Sequence, residues 1–241
     1  MLITSVDNNK IKNYIKLKQK KYRETDKLFI VEGEHLVEEA FNTNRLYDLL
    51  ILEGTDFKID FPYTEVSLNV MKKLSDMDST PKVLGIVKIE NNFDITGNKV
   101  LLLDDIQDPG NLGTIIRSSV AFNITDIVLS NNTVDLYNDK VIRASQGMIF
   151  KINIIRDDLI NVINKLKEKE YTVLGTDVKD GVDASEIVIN KYALVMGNEG
   201  QGVKEEIKKL CDKNIYIEMN KNCESLNVGV ATSIIIYELN R

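Results

Sequence analysis

The chain has 241 residues, of which 43% are apolar and 28% charged, the ordinary balance of a globular protein with a real core. No apolar run approaches the roughly 20 residues that a membrane helix needs, and the first residues lack the basic and apolar regions of a signal peptide, so we expect neither. The net charge of −6 argues, for the chain as a whole, against a nucleic-acid partner.

The first predicted element is an amphipathic helix over residues 9–23, where apolar side chains recur near helical spacing. Its many basic residues have no acid among them, and Tyr14 and Tyr22 are interleaved with them. A solvated helix face is the ordinary interpretation of a charge run, but this composition favours a face that follows a phosphate backbone. The predicted phosphate contacts are Lys16, Lys18, Lys20, Lys21 and Arg23.

A compact alternation of strands and helices continues to about residue 88. The predicted strands are residues 29–31, 49–52, 63–66 and 83–87, and the predicted helices are residues 34–41 and 67–74, the second capped by Ser67. The segment that follows is polar, Asn-rich and without periodicity, so we place a domain boundary there. The predicted domains are residues 1–90 and 99–241, joined by a linker over residues 91–98.

A second array of strands and helices fills the remainder of the chain. Its predicted strands are residues 99–103, 126–129, 152–155, 171–175, 193–196 and 215–217, and its predicted helices are residues 113–122, 138–144, 157–169, 203–211 and 226–239. Strands that are near-continuous runs of Val, Ile and Leu, with helices between them, predict an α/β fold with a mostly parallel sheet covered on both faces. Ligands bind such sheets at the carboxyl ends of the strands.

Three loops rich in turn-forming residues follow strand ends in this array, and we therefore treat them as one site. The first passes through Asp-Pro-Gly-Asn into a helix that carries Arg117, whose guanidinium suits phosphate or carboxylate. The second, residues 196–202, has its glycines in the order G-x-x-G-x-G, which matches neither a dinucleotide fingerprint nor a P-loop. It contains Glu199, a carboxylate that could pair with Arg117. The third begins at Ser225, a good helix N-cap.

Each loop alone also has a plain structural interpretation. A lone arginine on a helix usually pairs with a nearby acid, and three glycines can simply make a turn. The tetrapeptide Ser-Leu-Asn-Val occurs twice, at residues 67–70 and 225–228, so those four residues specify nothing without their place in the fold.

Histidine, cysteine and metal chemistry are not expected. His35 is the only histidine, and its predicted place at a helix start in the first domain argues against Ser–His–Asp and Cys–His catalysis. Cys211 and Cys223 fit no disulfide or metal framework and predict free thiols in a reducing cytoplasm. No cluster of His, Cys and carboxylates has zinc spacing, so we expect no metal.

In this order and spacing the three loops resemble the three motifs of the SpoU (TrmH) family of RNA ribose 2′-O-methyltransferases, within the SPOUT superfamily. The matching segments are Asp-Pro-Gly-Asn-Leu-Gly at residues 108–113, Leu-Val-Met-Gly-Asn-Glu-Gly-Gln-Gly at residues 194–202, and Ile-Glu-Met to Ser-Leu-Asn-Val over residues 217–228. Residues 12–87 are similar to the substrate-binding domain that precedes the catalytic domain in this family.

The resemblance implies a reaction and an architecture. The reaction is the S-adenosylmethionine-dependent 2′-O-methylation of a ribose in structured RNA, and the two-domain form resembles enzymes of ribosomal (23S) RNA more than the minimal tRNA enzymes. The architecture is a C-terminal trefoil knot that cradles the cofactor, in a homodimer with sites near the interface. Sequence pattern alone argues against a knot, because true knots are rare.

The resemblance also assigns roles to residues of this chain. The catalytic and conformation-holding positions are Asn111, Arg117, Glu199, Ser225 and Asn227. The positions that contact the methyl donor are Gly197, Ile217, Met219 and Leu226. We expect Arg117 to grip the phosphate beside the target ribose and polarise its 2′-hydroxyl, with Glu199 and Asn111 fixing its orientation, because arginine does not readily deprotonate in proteins. Arginine acting as the base remains the open alternative.

The sequence departs from the family pattern at three places, and other functions compete with the leading hypothesis. Glu218 stands where the family usually has Pro, Gly229 replaces a common Ser, and Pro-Lys-Val at residues 81–83 replaces the usual Pro-Gln-Gly. The alternatives are a catalytically silent, knotted RNA-binding or ribosome-assembly factor, and a generic nucleotide-binding α/β protein. A self-protection enzyme against ribosome-targeted antibiotics is a variant of the leading hypothesis.

Overall fold

The computed structural model describes residues 2–90, 94–177 and 181–241. Its residues group into two compact units, Met1–Glu90 with Tyr137–Phe150 and Asn91–Leu136 with Lys151–Arg241. The predicted domain bounds stay predictions, and residues 91–93 of the predicted linker lie outside the described part. The sequence offered no sign that residues 137–150 would group with the first unit.

The first unit contains a five-stranded mixed sheet. Its strands are β1 (Leu2–Ile3), β2 (Leu28–Glu32), β3 (Leu46–Leu52), β4 (Thr64–Val66) and β5 (Val83–Lys88), in the order β1-β4-β3-β5-β2. Its first four helices are α1 (Asn9–Lys16), α2 (Lys20–Asp26), α3 (Glu34–Asn42) and α4 (Leu68–Leu74). Strands β1, β4 and β3 pair in parallel, and β5 runs antiparallel to both of its neighbours. Ile11 and Tyr14 of α1 belong with Val70 of α4 to one buried apolar cluster.

The single helix predicted over residues 9–23 is wrong in its middle, because the chain forms the separate helices α1 and α2. Arg23 stabilises the turn between them. Its side chain is buried, and Nη1 donates to the carbonyls of Leu17 (2.7 Å) and Lys18 (2.8 Å). These bonds satisfy carbonyl groups that the end of α1 would otherwise leave without a partner.

The second unit contains a seven-stranded sheet in which every neighbouring pair is parallel, so the predicted fold class is confirmed. Its strands are β6 (Lys99–Leu103), β7 (Asp126–Leu129), β8 (Asn153–Arg156), β9 (Thr172–Thr176), β10 (Val182–Asp183), β11 (Tyr192–Met196) and β12 (Lys213–Tyr216), in the order β10-β12-β9-β11-β6-β7-β8. The later helices are α5 (Pro109–Ala121), α6 (Asp139–Ser145), α7 (Leu159–Glu168), α8 (Glu205–Lys208) and α9 (Val228–Glu238), of which α6 groups with the first unit. The knot stays an implication of the family.

The sheet register brings two of the three predicted loops together. Met196 at the end of β11 lies opposite Leu103 at the end of β6, and the Asp104 N–H donates to the Met196 carbonyl (2.9 Å). The loops that leave β6 and β11 therefore start side by side at the carboxyl edge of the sheet, where parallel sheets bind ligands.

Helices α5 and α9 pack against each other and place the third loop beside the first. Ser118 and Ser233 share a hydrogen bond (2.6 Å), and the rings of Phe122 and Tyr237 are 5.5 Å apart. Gly229 lies at this contact, where a Cβ would be 3.3 Å from the Thr114 methyl group, a tight distance. Among the described residues, no helix has both the length and the apolar character to cross a membrane.

Candidate active site

The carboxyl ends of β9, β11 and β12 surround a cavity of about 330 Å³. Residues 197–202 form one wall, and α9 contributes Val228, Ala231 and Ile235. Six of the sequence-predicted site residues line it together: Gly197, Glu199, Ile217, Met219, Ser225 and Leu226. Its size and mixed lining suit a small organic ligand.

The second loop is a tight ring whose shape requires glycine. The backbones of Asn198 and Gly202 exchange two hydrogen bonds (3.0 and 2.9 Å), and the Asn198 side chain accepts from the N–H groups of Gly200 (2.9 Å) and Gln201 (3.3 Å). A Cβ on Gly197 would lie 2.1 Å from backbone atoms across the ring. Asn198 is not among the predicted site residues, although asparagine ahead of glycines is a known turn signal.

A directed chain of amide hydrogen bonds connects the three loops. The Oδ1 atom of Asn227 caps α9 by accepting from the N–H groups of Gly229 (2.9 Å) and Val230 (3.3 Å). This leaves Asn227 Nδ2 to donate to Asn111 Oδ1 (2.8 Å). Asn111 Nδ2 then donates to Glu199 Oε1 (3.0 Å). The helix cap thus fixes the direction of every bond in the chain.

Glu199 receives further donors from the first loop. Its carboxylate accepts from the backbone N–H groups of Gln107 and Asp108, both at 3.3 Å. Burial alone would raise the pKa of Glu199, but the donors from Asn111, Asp108 and Gln107 outweigh it and lower the pKa below its ordinary value. Glu199 is therefore an ionised link between two loops at neutral pH.

Arg117 is exposed on α5, and its guanidinium makes no hydrogen bond or ion pair with the residues that the structure describes. The pairing with Glu199 that the sequence allowed is not formed among the described residues, and that carboxylate accepts from Asn111 and two backbone N–H groups instead. The expectation that Glu199 and Asn111 hold Arg117 directly fails for the same reason. Glu199 and Asn111 instead hold the loop that precedes α5, the helix that carries Arg117.

Ser225 does not cap the last helix, so that interpretation of the third loop is wrong. The cap is Asn227, and α9 begins at Val228. Asparagine is as good a cap as serine, and the sequence could have indicated either. Ser67 likewise makes no side-chain capping bond to α4, and its hydroxyl donates to the Thr4 carbonyl (3.4 Å).

Three of the five predicted phosphate contacts have partners within the first unit. Lys18 pairs with Asp76 (2.8 Å), and Lys20 lies 3.7 Å from Glu24 on an exposed helix face. Arg23 is buried at the turn between α1 and α2, so its prediction as an RNA contact is corrected: its guanidinium points into the protein.

The other two lysines remain available. Lys16 and Lys21 are exposed and have no carboxylate partner in the described part of the chain. Their Nζ atoms lie 5.8 and 6.0 Å from the centre of the Tyr22 ring. The structure therefore combines two cations and one aromatic ring, a combination that binds single-stranded nucleic acid in other proteins.

In the described ranges, no group of three or more His, Cys, Asp or Glu side chains could hold a metal ion. Cys211 and Cys223 are both free thiols.

Comparison with known families matches nearly the whole chain. The model of the SpoU rRNA Methylase family matches residues 98–237, and that of the MRM3-like substrate binding domain matches residues 8–85. The 23S rRNA (guanosine(2553)-2′-O)-methyltransferase RlmP of Bacillus subtilis is 34% identical to this chain over 98% of each sequence.

Solved structures share the fold of this chain over nearly its whole length. The AdoMet-bound rRNA methyltransferase of Sinorhizobium meliloti is 26% identical, with a TM-score of 0.87 over 99% of this chain and 97% of that one. The SpoU methyltransferase AviRb of Streptomyces viridochromogenes, at 21% identity, shares the fold with a TM-score of 0.86 over 97% of each chain. The chain belongs to the SpoU rRNA methylase family and is an S-adenosylmethionine-dependent RNA 2′-O-methyltransferase.

Proposed function

We propose that this enzyme methylates the ribose of a guanosine in 23S rRNA, in the cytoplasm, and that the cavity between residues 197–202 and α9 is its cofactor site. The proposal is carried by the hydrogen-bonded chain from Asn227 through Asn111 to Glu199, which joins the cavity wall to the loop before Arg117. The Bacillus subtilis relative acts on guanosine 2553 of 23S rRNA, and its similarity extends over both domains, which supports a similar target.

The lining of the cavity fits the proposed cofactor. Met196, Ile217 and Leu226 offer apolar surface to an adenine ring, and the backbone at Gly197 can approach a ligand closely because no Cβ intervenes. Glu199 adds a carboxylate that suits a cationic ligand. When bound, S-adenosylmethionine supplies a methyl group activated by a sulfonium.

We assign Arg117 to the RNA. A ribose 2′-hydroxyl is a poor nucleophile and must lose its proton as it attacks, but arginine does not accept a proton readily. The exposed guanidinium of Arg117 can instead bind the phosphate beside the target ribose and polarise the hydroxyl, with the proton leaving through that phosphate or a water molecule. Positioning of this kind contributes on the order of 7–11 kcal/mol in favourable cases.

The test compares wild-type protein with Arg117→Ala on unmodified 23S rRNA, using labelled S-adenosylmethionine and mass spectrometry of RNA fragments. We expect the wild type to add one ribose methyl group at a single guanosine. We expect Arg117→Ala to lose turnover by about 100-fold or more, the scale of a removed transition-state donor, with cofactor binding within a few-fold. Near-normal turnover would refute the role of Arg117, and methylation of tRNA alone would refute the target.

A homodimer is part of the same proposal. Val230, Ile234 and Tyr237 of α9 leave 36% to 47% of their surface exposed, and they recur at helical spacing on one face. A helix that is apolar on nearly all sides is normally covered. We propose that a second copy of the chain covers this face, beside the exposed side of α5 that carries Arg117.

A further inference from the structure

Asp105 holds the turn after β6 to both ends of the loop after β11. Its backbone carbonyl accepts from Asn198 Nδ2 (2.8 Å), where that loop begins. Its carboxylate Oδ2 lies 2.7 Å from Lys204 Nζ, where the loop ends. Asp105 also exchanges two hydrogen bonds with the hydroxyl of Ser130, the residue directly after β7. The Asp105 backbone N–H donates to Ser130 Oγ (2.9 Å), and Ser130 Oγ donates to Asp105 Oδ1 (2.7 Å).

Lys204 makes further contacts at this corner of the sheet, all with Asp104. Its ammonium also lies 3.2 Å from Asp104 Oδ1, and its backbone N–H donates to Asp104 Oδ2 (3.0 Å). Asp104 is only 1% exposed, so its charge depends on this lysine for compensation. The hydrogen bond that Lys204 donates to Asp105, opposed by burial and aided by Asp104, raises the pKa of Lys204, which keeps the ammonium charged.

The segment between these two attachment points is the cavity wall. It contains the ring closed by Asn198 and Gly202, directly after Gly197, and it carries Glu199 to within 3.0 Å of Asn111. A displacement of the ring by about 1 Å would lengthen that hydrogen bond beyond a useful distance. The position of the wall and the direction of the amide chain therefore depend on where residues 198 and 204 are held.

We infer that Lys204, through its ion pair with Asp105, is a positioning residue that holds the cofactor loop in the shape that binds S-adenosylmethionine. The inference rests on the proposed assignment of the cavity to the cofactor. Neither residue lines that cavity. The effect on the cofactor is therefore indirect.

The experiment measures cofactor affinity by calorimetry, and the KM values for cofactor and for 23S rRNA, on the full-length protein. Lys204→Met keeps the length of the side chain and removes its charge. We expect it to raise the Kd and the KM for S-adenosylmethionine by about tenfold, the scale of one lost charge-assisted hydrogen bond, and to leave the KM for RNA within about twofold. Lys204→Arg should restore cofactor binding, because it restores the cation.

Two further variants keep the test decisive. Should Lys204→Met fail to fold because Asp104 is left unpaired, Asp105→Asn removes only the outer carboxylate charge, and asparagine tolerates the positive φ of +55° found there. We expect the same rise in cofactor Kd. Lys209→Met, an exposed lysine without an ion pair among the described residues, is the matched control and should bind as the wild type does.

One more variant distinguishes a failure of the positioning role of Lys204 from a failure of the cavity's assignment to the cofactor. Ala231→Phe fills the cavity directly. Should it abolish cofactor binding while Lys204→Met and Asp105→Asn bind normally, only the positioning role is wrong. Should Ala231→Phe bind the cofactor as tightly as the wild type, the assignment of the cavity is wrong and the inference falls with it.

Discussion

Asn227 performs two tasks with one amide group. Its oxygen caps α9, and its nitrogen donates to Asn111, which in turn donates to Glu199. A carboxylate would keep the first task and lose the second. Asp at position 227 could still accept from the helix N–H groups, but it would face the Asn111 oxygen without a proton to offer.

We therefore expect Asn227→Asp to separate capping from catalysis. Asn111 would have to rotate its amide to satisfy the new carboxylate, and its oxygen would then face the carboxylate of Glu199. Loss of a hydrogen bond to a charged group costs about 1.5–3 kcal/mol, so methyl transfer should fall roughly 10- to 100-fold. The melting temperature should change little, since Asp and Asn are comparable caps. Steady-state turnover on rRNA and a thermal melt measure the two effects.

The chain provides a matched control in its other Ser-Leu-Asn-Val segment. Asn69 is exposed on α4, and Asn69→Asp makes the same chemical change in the same local sequence. It should leave turnover unchanged. A loss of turnover equal to that of Asn227→Asp would contradict the amide chain as the cause.

These residues mark the limit of what sequence could predict at this scale. The motif resemblance named Asn111, Glu199 and Asn227 as a group, whereas the residues taken by themselves suggested Ser225 as the cap and allowed Glu199 to pair with Arg117. Two residues with equal capping ability lay two positions apart, and only the backbone decides between them. The partner of a carboxylate depends on loops that are far apart in sequence, which no local pattern encodes.

At the scale of secondary structure elements, periodicity predicted most helices and strands and failed where one buried side chain decided the path. Residues 17–19 contain no Gly or Pro, so nothing in the local sequence indicates that α1 ends there. Arg23 donates hydrogen bonds to the carbonyls of Leu17 and Lys18, just beyond the end of α1. The start of α5 at Pro109 was predictable, because proline follows the Asp108 cap, yet our prediction began the helix four residues late.

The basic face of α1 and α2 offers fewer phosphate contacts than the sequence predicted. Ion pairs neutralise part of the run, and Arg23 is buried, so we expect Lys16 and Lys21 to supply the phosphate contacts of this face. The double variant Lys16→Glu, Lys21→Glu should weaken RNA binding and reduce the salt slope of log K by about 1.5, as expected for two lost contacts. Filter binding at several salt concentrations measures both quantities.

A charge-matched control lies on α4 of the same unit. Lys72 and Lys73 are exposed and have no ion pair among the described residues, so Lys72→Glu, Lys73→Glu makes the same change in net charge. Its salt slope should equal that of the wild type. Equal slopes in both double variants would mean that binding responds to overall charge, and that the face of α1 and α2 has no special role.

For the molecule as a whole, the parallel sheet explains why three loops remote in sequence form one site. The order β12-β9-β11-β6 sets the carboxyl ends of the relevant strands side by side. Runs of apolar residues between helices predict the parallel sheet, although not this order. The grouping of residues 137–150 with the first unit does not follow from them either, because a helix that packs away from its sequence neighbours looks locally like any other helix. Strand order and chain threading are likewise invisible to periodicity.

The homodimer is the largest-scale prediction. Ile234 and Val230 project from α9, while the opposite side of that helix packs on α5 and the sheet core. Ile234→Glu would place a charge in the centre of an apolar contact, where it has no partner and a high desolvation cost. We expect the wild type to sediment at about twice its chain mass of 27.3 kDa and Ile234→Glu to sediment as a monomer. Val188→Glu changes a valine that is 97% exposed and is not part of α9, and it should remain dimeric. A monomeric wild type, or a dimer that persists in Ile234→Glu, would place the interface elsewhere and leave the apolar face of α9 to another partner.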